Sequence, residues 1–338
     1  MIFIKQPPYE INSTILNLVT KIIEKLTQLE LNFNEKKDLH LRKISKIKSV
    51  NSSCAIEANT LSEEEVTTII NGKMIMASQN EILEVKNAYN VYVNIDKFNP
   101  YNINSFLDAH KLLTTDLIQE SGKFRTGDVG VFDGNRVIHM GARPSFVPRL
   151  VEELFNWGSK SDLNPLIKSS IIHFEIEVIH PFNDGNGRIG RFWQSLILYR
   201  YNKIFEYLPI ETLVYENQQK YYDALKKSEK EGNSTKFIEF MLKMILGTIE
   251  NFVKGTSFNK IQDKYVDGLS RKEKEILMGL IVYFDKKELI DSESACGILN
   301  MTSVNIRKYF KKFTNLNILI PIGETKGRKY KINENIYK

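Results

Sequence analysis

Apolar positions recur at helical spacing along most of the chain. Over residues 12–32, Ile15, Leu16, Val19, Ile22, Ile23, Leu26 and Leu29 share one face of a 3.6-residue period. A second helical segment covers residues 37–57. Ser62 with Glu65 three positions on reads as a capping box opening a helix over 66–70, which Asn71-Gly72 ends. Further helices are expected over 80–92, from Asn104 through Phe106, His110 and Leu113, and over 148–157. The clearest pair is the apolar-periodic segments 166–179 and 192–199, with a polar stretch between them. Pro181 cannot sit inside a continuing helix, so the first of the pair ends at His180 and the second begins near Arg188. Segments 217–225 and 235–249 follow in the same pattern. Helix after helix joined by short polar turns predicts a mainly α protein built on a helical bundle.

Two stretches depart from this pattern. Val129, Val131, Val137 and Ile138 flank Phe132-Asp133-Gly134-Asn135, and Asp-Gly between β-type runs signals a hairpin. Residues 252–269 lose the period and turn polar, as a linker does. Beyond them, Ser270 and Glu273 form a second capping box, opening a helix to about residue 284. A short helix over 292–299, a turn at Asn300-Met301 and a helix capped by Thr302 follow, and then strands over 318–322 and 328–332. Three helices and a two-stranded wing look like a small winged helix-turn-helix domain. The expected organisation is an N-terminal helical region (1–110), a core (111–250), a linker (251–269) and the C-terminal domain (270–338).

Composition narrows the class. With 338 residues the chain is long enough for two or more domains, and 42% hydrophobic residues fill a substantial core. The net charge of +6 permits an acidic partner without demanding one. It is unevenly placed: between 302 and 331, Arg307, Lys308, Lys311, Lys312, Lys326, Arg328, Lys329 and Lys331 face one acid, Glu324. That is the footprint of a phosphate-binding face, and makes DNA a candidate partner of 302–331. Winged helices also serve as dimer modules, so a homodimer stands beside it. The two cysteines, Cys54 and Cys296, are far apart and make no metal-spaced pair. Without a secretory h-region or a transmembrane run, a cytoplasmic protein with no membrane partner is expected.

The chemistry concentrates in residues 180–191. This polar stretch holds an imidazole (His180), a carboxylate (Asp184), a Gly185-Asn186-Gly187 loop and two arginines, Arg188 and Arg191. The glycines permit a tight turn and close approach of backbone N–H groups. A helix N-terminus behind them is a ready anion site. Arg188 and Arg191, three apart, lie on one helical face. The set asks for a phosphorylated ligand, with His180 as base for an attacking hydroxyl and Asp184 as holder of Mg²⁺. Taken singly, a terminal His is a cap and Gly-Asn-Gly a turn. Their conjunction at fixed spacing favours a site. His173, Glu175 and Glu177, just upstream, read as structural or solvent-facing.

The stretch resembles the signature of the Fic family, His-x-Phe-x-(Asp/Glu)-Gly-Asn-Gly-Arg-x-x-Arg, and matches every fixed position. The resemblance implies a Fic-type helical bundle with a β-hairpin flap, and a protein adenylyltransferase that moves AMP from ATP, with Mg²⁺, to a Ser, Thr or Tyr hydroxyl. It makes His180 the base and Asp184 the metal residue. It makes Asn183, Gly185, Asn186 and Gly187 the phosphate loop, with Arg188 and Arg191 on the β- and γ-phosphates. Gly122-Lys123-Phe124-Arg125 matches the element before the family's flap, on which a hydroxyl-bearing target protein would dock near 129–139. Tyr221 and Tyr222 would lie over the base. Ser53 and Glu57 resemble the family's inhibitory motif (Ser/Thr)-x-x-x-Glu-(Gly/Asn), with Ala58 in the last place, so Glu57 is expected to pair with Arg191 and restrain the enzyme. The alternatives are transfer of another phosphate-containing group, and a transcriptional regulator whose Fic domain senses nucleotide.

Overall fold

The computed structural model describes residues 6–32, 39–133, 136–259, 263–284, 288–299, 301–323 and 328–337. The chain divides into two compact units, Met1–Ile249 and Glu250–Lys338.

The first unit holds α1 (Ser13–Asn32), α2 (Leu39–Ile56), α3 (Glu63–Ile70), α4 (Gln79–Val93) and α5 (Ile103–Thr114). A hairpin of β1 (Gly130–Asp133) and β2 (Arg136–Met140) follows. Then come α6 (Val147–Lys160), α7 (Pro165–Ile179), α8 (Asn186–Tyr201), α9 (Ile210–Glu216), α10 (Gln218–Glu231) and α11 (Thr235–Asn259), of which residues 235–249 belong to this unit. The expected mainly helical fold with a hairpin is what forms. Ser62 and Glu65 close the capping box of α3 reciprocally. Three details differ from expectation. The cap of α5 is Asn102, not Asn104, because the Asn102 side chain accepts from Ser105 N–H. Helix α8 begins at Asn186, since Gly185 already supplies the turn. Helix α11 continues to Asn259, so the start of the polar segment taken for linker is helical. Gly134 and Asn135 of the hairpin turn lie outside the described residues.

The core explains why α7 and α8 can carry a site. Helix α7 is enclosed on all sides: from Leu166 to Ile176 every residue is buried, the polar Lys168, Ser169, Ser170, His173 and Glu175 among them. Trp193 of α8 stacks on Phe155 and packs edge-on against Phe106, and its indole N–H donates to the Pro100 carbonyl at 2.9 Å. Phe182, in the loop between the two helices, joins the same cluster through Phe106. The loop is therefore anchored by its own aromatic residue.

The second unit contains α12 (Asp263–Val266), α13 (Arg271–Phe284), β3 (Ile290–Asp291), α14 (Ser292–Leu299), α15 (Ser303–Asn315), β4 (Leu319–Ile322) and β5 (Lys329–Ile332). Its strands form one antiparallel sheet in the order β3-β5-β4. The two-residue β3 has no alternation to read, so the sequence shows only two strands. Ser270 and Glu273 again cap reciprocally. Thr302 precedes α15 in an extended conformation, but its side chain makes no capping bond. Asn300, Glu324 and Lys326, used in the sequence reading, fall outside the described residues.

Candidate active site

His180 ends α7 in the left-handed region, with φ +51°, and its N–H closes the helix on the Ile176 carbonyl at 2.9 Å. Its ring Nδ1 lies 3.3 Å from the Glu177 carbonyl oxygen. A carbonyl only accepts, so Nδ1 carries the proton and Nε2 keeps its lone pair. Burial pushes the imidazole pKa below its ordinary value, against the opposing pull of the Glu177 carboxylate. Both features favour a neutral ring able to take a proton. His180 lines a cavity of about 430 Å³ together with Phe174, Glu177 and Tyr222.

The loop beyond it is held open from inside. Asn186 is buried and bridges to both backbone groups of Phe182: its Oδ1 accepts from the N–H at 2.9 Å and its Nδ2 donates to the carbonyl at 2.8 Å. Gly185 has φ +79°, and a Cβ there would stand 3.0 Å from Thr114 Cγ2. His110 props the loop from below. Its ring lies flat on Phe182, Nδ1 accepts from Gly122 N–H at 3.0 Å, and Nε2 donates to the Asp184 carbonyl at 2.9 Å. Those two partners define a neutral imidazole, and burial takes its pKa down to about 4. In the sequence His110 is one more position on a helical face, so its role has no local signal.

The arginines are both buried and both engaged. Arg188 meets Glu84 Oε1 at 3.1 Å and Asp184 Oδ1 at 3.5 Å, and its buried Nε has no hydrogen-bond partner among the described residues. Arg191 donates to Ser53 Oγ at 3.1 Å, the Ser53 carbonyl at 3.0 Å and Glu57 Oε1 at 2.6 Å. Burial opposes the charge of Arg191, but Glu57, Tyr221 and Glu177 beside it raise its pKa above the ordinary value. The Glu57 carboxylate also lies against the first turn of α8: a Cβ at Gly187 would collide with its Oε1. An anion thus stands where the helix N-terminus attracts one.

Glu57 is set there by the end of α2. Ala58 N–H bonds to the Ala55 carbonyl and Asn59 N–H to the Cys54 carbonyl, the paired closure of a Schellman motif. Such a motif needs a left-handed residue just past the helix end, and Ala58 takes that place with φ +67°. Asn59 then reaches Glu84 Oε2 at 2.9 Å, joining this turn to the partner of Arg188. Glu84 carries no motif and is not legible in the sequence.

The tyrosine pair separates. Tyr221 is 1% exposed, packed among Phe237 and Phe240, with its hydroxyl near His173 Nε2 at 3.1 Å and Glu177 Oε1 at 3.2 Å. A ring packed in this way has no face to offer a base. Tyr222, 44% exposed, keeps one, and its hydroxyl donates to the Ile56 carbonyl at 3.3 Å. His173 and Glu175 are fully buried rather than solvent-facing, and burial pushes Glu175 up to about 8. Asn183 is exposed and donates through Nδ2 to Glu120.

Among the described residues no three His, Cys, Asp or Glu side chains stand together as a metal cage. Asp184 is nonetheless suited to a cation that takes its other ligands from phosphate and water: its carboxylate is 57% exposed at the mouth of the loop. No helix among the described residues is long and apolar enough to cross a membrane.

Residues 100–198, which include this histidine, the loop after it and both arginines, match the model of the Fic/DOC family. A Fic family protein from Desulfovibrio desulfuricans G20, known from its crystal structure, superposes with a TM-score of 0.70 at 30% identity, covering 97% of this chain and 98% of that one. The chain belongs to the Fic family. Among curated proteins it is 27% identical over 217 residues to a protein adenylyltransferase Fic of Nematostella vectensis, covering 61% of this chain and 48% of that protein. It is 37% identical over 87 residues to a probable protein adenylyltransferase of Aquifex aeolicus, covering 25% of each. The chain spans about half the length or less of the curated relatives it matches.

Proposed function

We propose that this chain is a protein adenylyltransferase, moving AMP from ATP to a hydroxyl of a target protein and to itself, and that Glu57 restrains it. The observation that carries the reading is the placement of His180, its Nδ1 turned to the Glu177 carbonyl, beside a glycine-backed helix N-terminus with two buried arginines. Relatives named protein adenylyltransferase support the same chemistry.

In this reading His180 Nε2 takes the proton as the target hydroxyl attacks the α-phosphorus of ATP. The bond from that phosphorus to the bridging oxygen breaks, and pyrophosphate leaves. The N–H groups at Gly187 and its neighbours, with Arg188 and Arg191, oppose the charge on the phosphates. Asp184 would hold Mg²⁺, which supplies further neutralisation when bound. Tyr222 offers the stacking face for adenine. The free edge of the β1–β2 hairpin would receive an extended target segment through backbone pairing, which is tolerant of target sequence.

An arginine held at 2.6 Å by a carboxylate cannot also grip a γ-phosphate, and Glu57 would repel that phosphate. Wild-type protein is therefore slow, and Glu57→Gly is the active form. Incubated with Mg²⁺ and ATP, the Glu57→Gly protein should acquire label carried on the α-phosphate and none carried on the γ-phosphate. Label from the γ-phosphate would make it a kinase. No label from either, with DNA retained, would favour the nucleotide-sensing regulator.

A further inference from the structure

Arg125 precedes the hairpin and is 2% exposed. Among the described residues its hydrogen-bond partners are all backbone carbonyls. Nε donates to His180 O at 2.6 Å and Nη1 to Gly127 O at 2.7 Å. Nη2 donates to Ala142 O, and to Ile179 O at 3.3 Å. One planar group thus gathers the chain entering the hairpin, the chain leaving it, the last turn of α7 and His180 itself. The backbone repeats the tie: Arg125 N–H donates to Pro181 O and Ala142 N–H to Ile179 O, both at 3.1 Å. Gly141 makes room for this, since a Cβ there would stand 2.7 Å from Arg125 Nη2 and 3.0 Å from His180 Cβ.

The left-handed backbone of His180 gives the contact its meaning. A non-glycine residue stays in that region only where its surroundings over-determine it. The His180 N–H is spent on Ile176, so the remaining hold is on its carbonyl, and Arg125 Nε supplies it. The same guanidinium holds both feet of the hairpin, the element on which a target segment would pair.

We propose that Arg125 is a positioning residue that locks the hairpin and His180 into one frame, so that a hydroxyl carried on the hairpin edge meets the imidazole at a set distance. This rests on the reading of His180 as the base. It goes beyond it by making the register between target and base a property of a residue that touches neither. Only a guanidinium, with donors spread in a planar fork, reaches four carbonyls on three segments at once. Its positive charge also disfavours the imidazolium of His180.

The test uses the full chain carrying Glu57→Gly, alone and with Arg125→Lys, Arg125→Gln or Gly141→Ala. The titration of the His180 ring is followed by NMR, and transfer and ATP affinity are measured in parallel. Arg125→Gln should raise the His180 midpoint, whereas Arg125→Lys, which keeps the charge, should leave it in place. All three should lower kcat by about 10²-fold, the cost of a misplacement of an ångström or so, with ATP affinity unchanged. Gly141→Ala does so by pushing the hairpin foot off an intact Arg125, so the outcome does not depend on a buried arginine being removable. An unchanged His180 midpoint in Arg125→Gln with an unchanged kcat in Gly141→Ala would overturn the proposal. Absence of transfer in the parent Glu57→Gly protein would instead remove the proposed activity, leaving the titration to decide the role of Arg125.

Discussion

His180 and His110 show how one residue type takes two roles from its surroundings. Burial favours the neutral form of both rings, but His180 turns only Nδ1 to a backbone carbonyl and lines a cavity, whereas His110 has both nitrogens spent on backbone groups. His180→Ala should lower transfer by roughly 10²–10⁴-fold while ATP still binds. Because burial lowers the His180 pKa, the acid limb of the rate profile should fall below pH 6.5, the ordinary histidine value, and the rate should drop only as pH falls through that lowered pKa. His110 makes a different statement. Its folded pKa of about 4 lies below the ordinary 6.5, so the unfolded chain binds the extra proton first as pH falls. Its contribution to stability is complete above pH 6.5 and is lost progressively towards pH 4, up to about 3 kcal/mol. Thermal melts across that window should show the loss, and His110→Gln should flatten it. The residues of 180–191 were legible because their chemistry is packed into one short spacing. His110 and Glu84 were not, because each acts on a partner far along the chain, and for the same reason Arg125, though it stands in the matched element before the hairpin, showed no role.

How firmly α2 presents Glu57 depends on the contacts along the helix. Three serines peg its face: Ser45 donates to the Tyr207 carbonyl, Ser49 to Glu211 Oε2 and Ser52 to Thr212 Oγ1, at 2.8, 2.6 and 3.2 Å. Glu211 is buried and also accepts from Tyr92 of α4 and Ser195 of α8, so one carboxylate joins α2, α4, α8 and α9. Glu211→Ala would orphan three hydroxyls and should cost on the order of 3 kcal/mol, measured by denaturant unfolding. It should also raise basal labelling as α2 loosens. Ala58 acts in the opposite sense. Its left-handed conformation costs about 1–2 kcal/mol relative to glycine, partly offset by the greater freedom of glycine in the unfolded chain. Ala58→Gly should therefore stabilise the turn and lower basal transfer. The periodic helices were legible from their apolar stripes. Helix ends, the two-residue β3 and the helical start of the segment after 250 were not, since neighbouring segments rather than local pattern decide them.

For the molecule as a whole, the two units raise separate questions. In the second, Arg307, Lys308 and Lys311 on α15 and Arg328, Lys329 and Lys331 near the β4–β5 turn are all exposed, while Lys312 is occupied by Glu273 at 2.8 Å. That surface supports the proposal of a winged helix that binds DNA through phosphate contacts. Retention of the full chain on duplex DNA should fall steeply with added salt and should weaken when Lys308, Lys311 and Arg328 are changed to Glu. Salt-independent retention, or none, would make the unit a protein-contact module.

In the proposed reading, the first unit holds a competent site closed by the ion pair of Glu57 and Arg191. The most direct measurement is the initial rate of self-labelling from α-phosphate-labelled ATP in wild type, Glu57→Gly, Arg191→Ala and the double variant. Glu57→Gly should label far faster than wild type, and adding Arg191→Ala should abolish the gain, because the freed arginine is what binds the γ-phosphate productively. Equal rates in wild type and Glu57→Gly, or a gain that survives the loss of Arg191, would contradict the account.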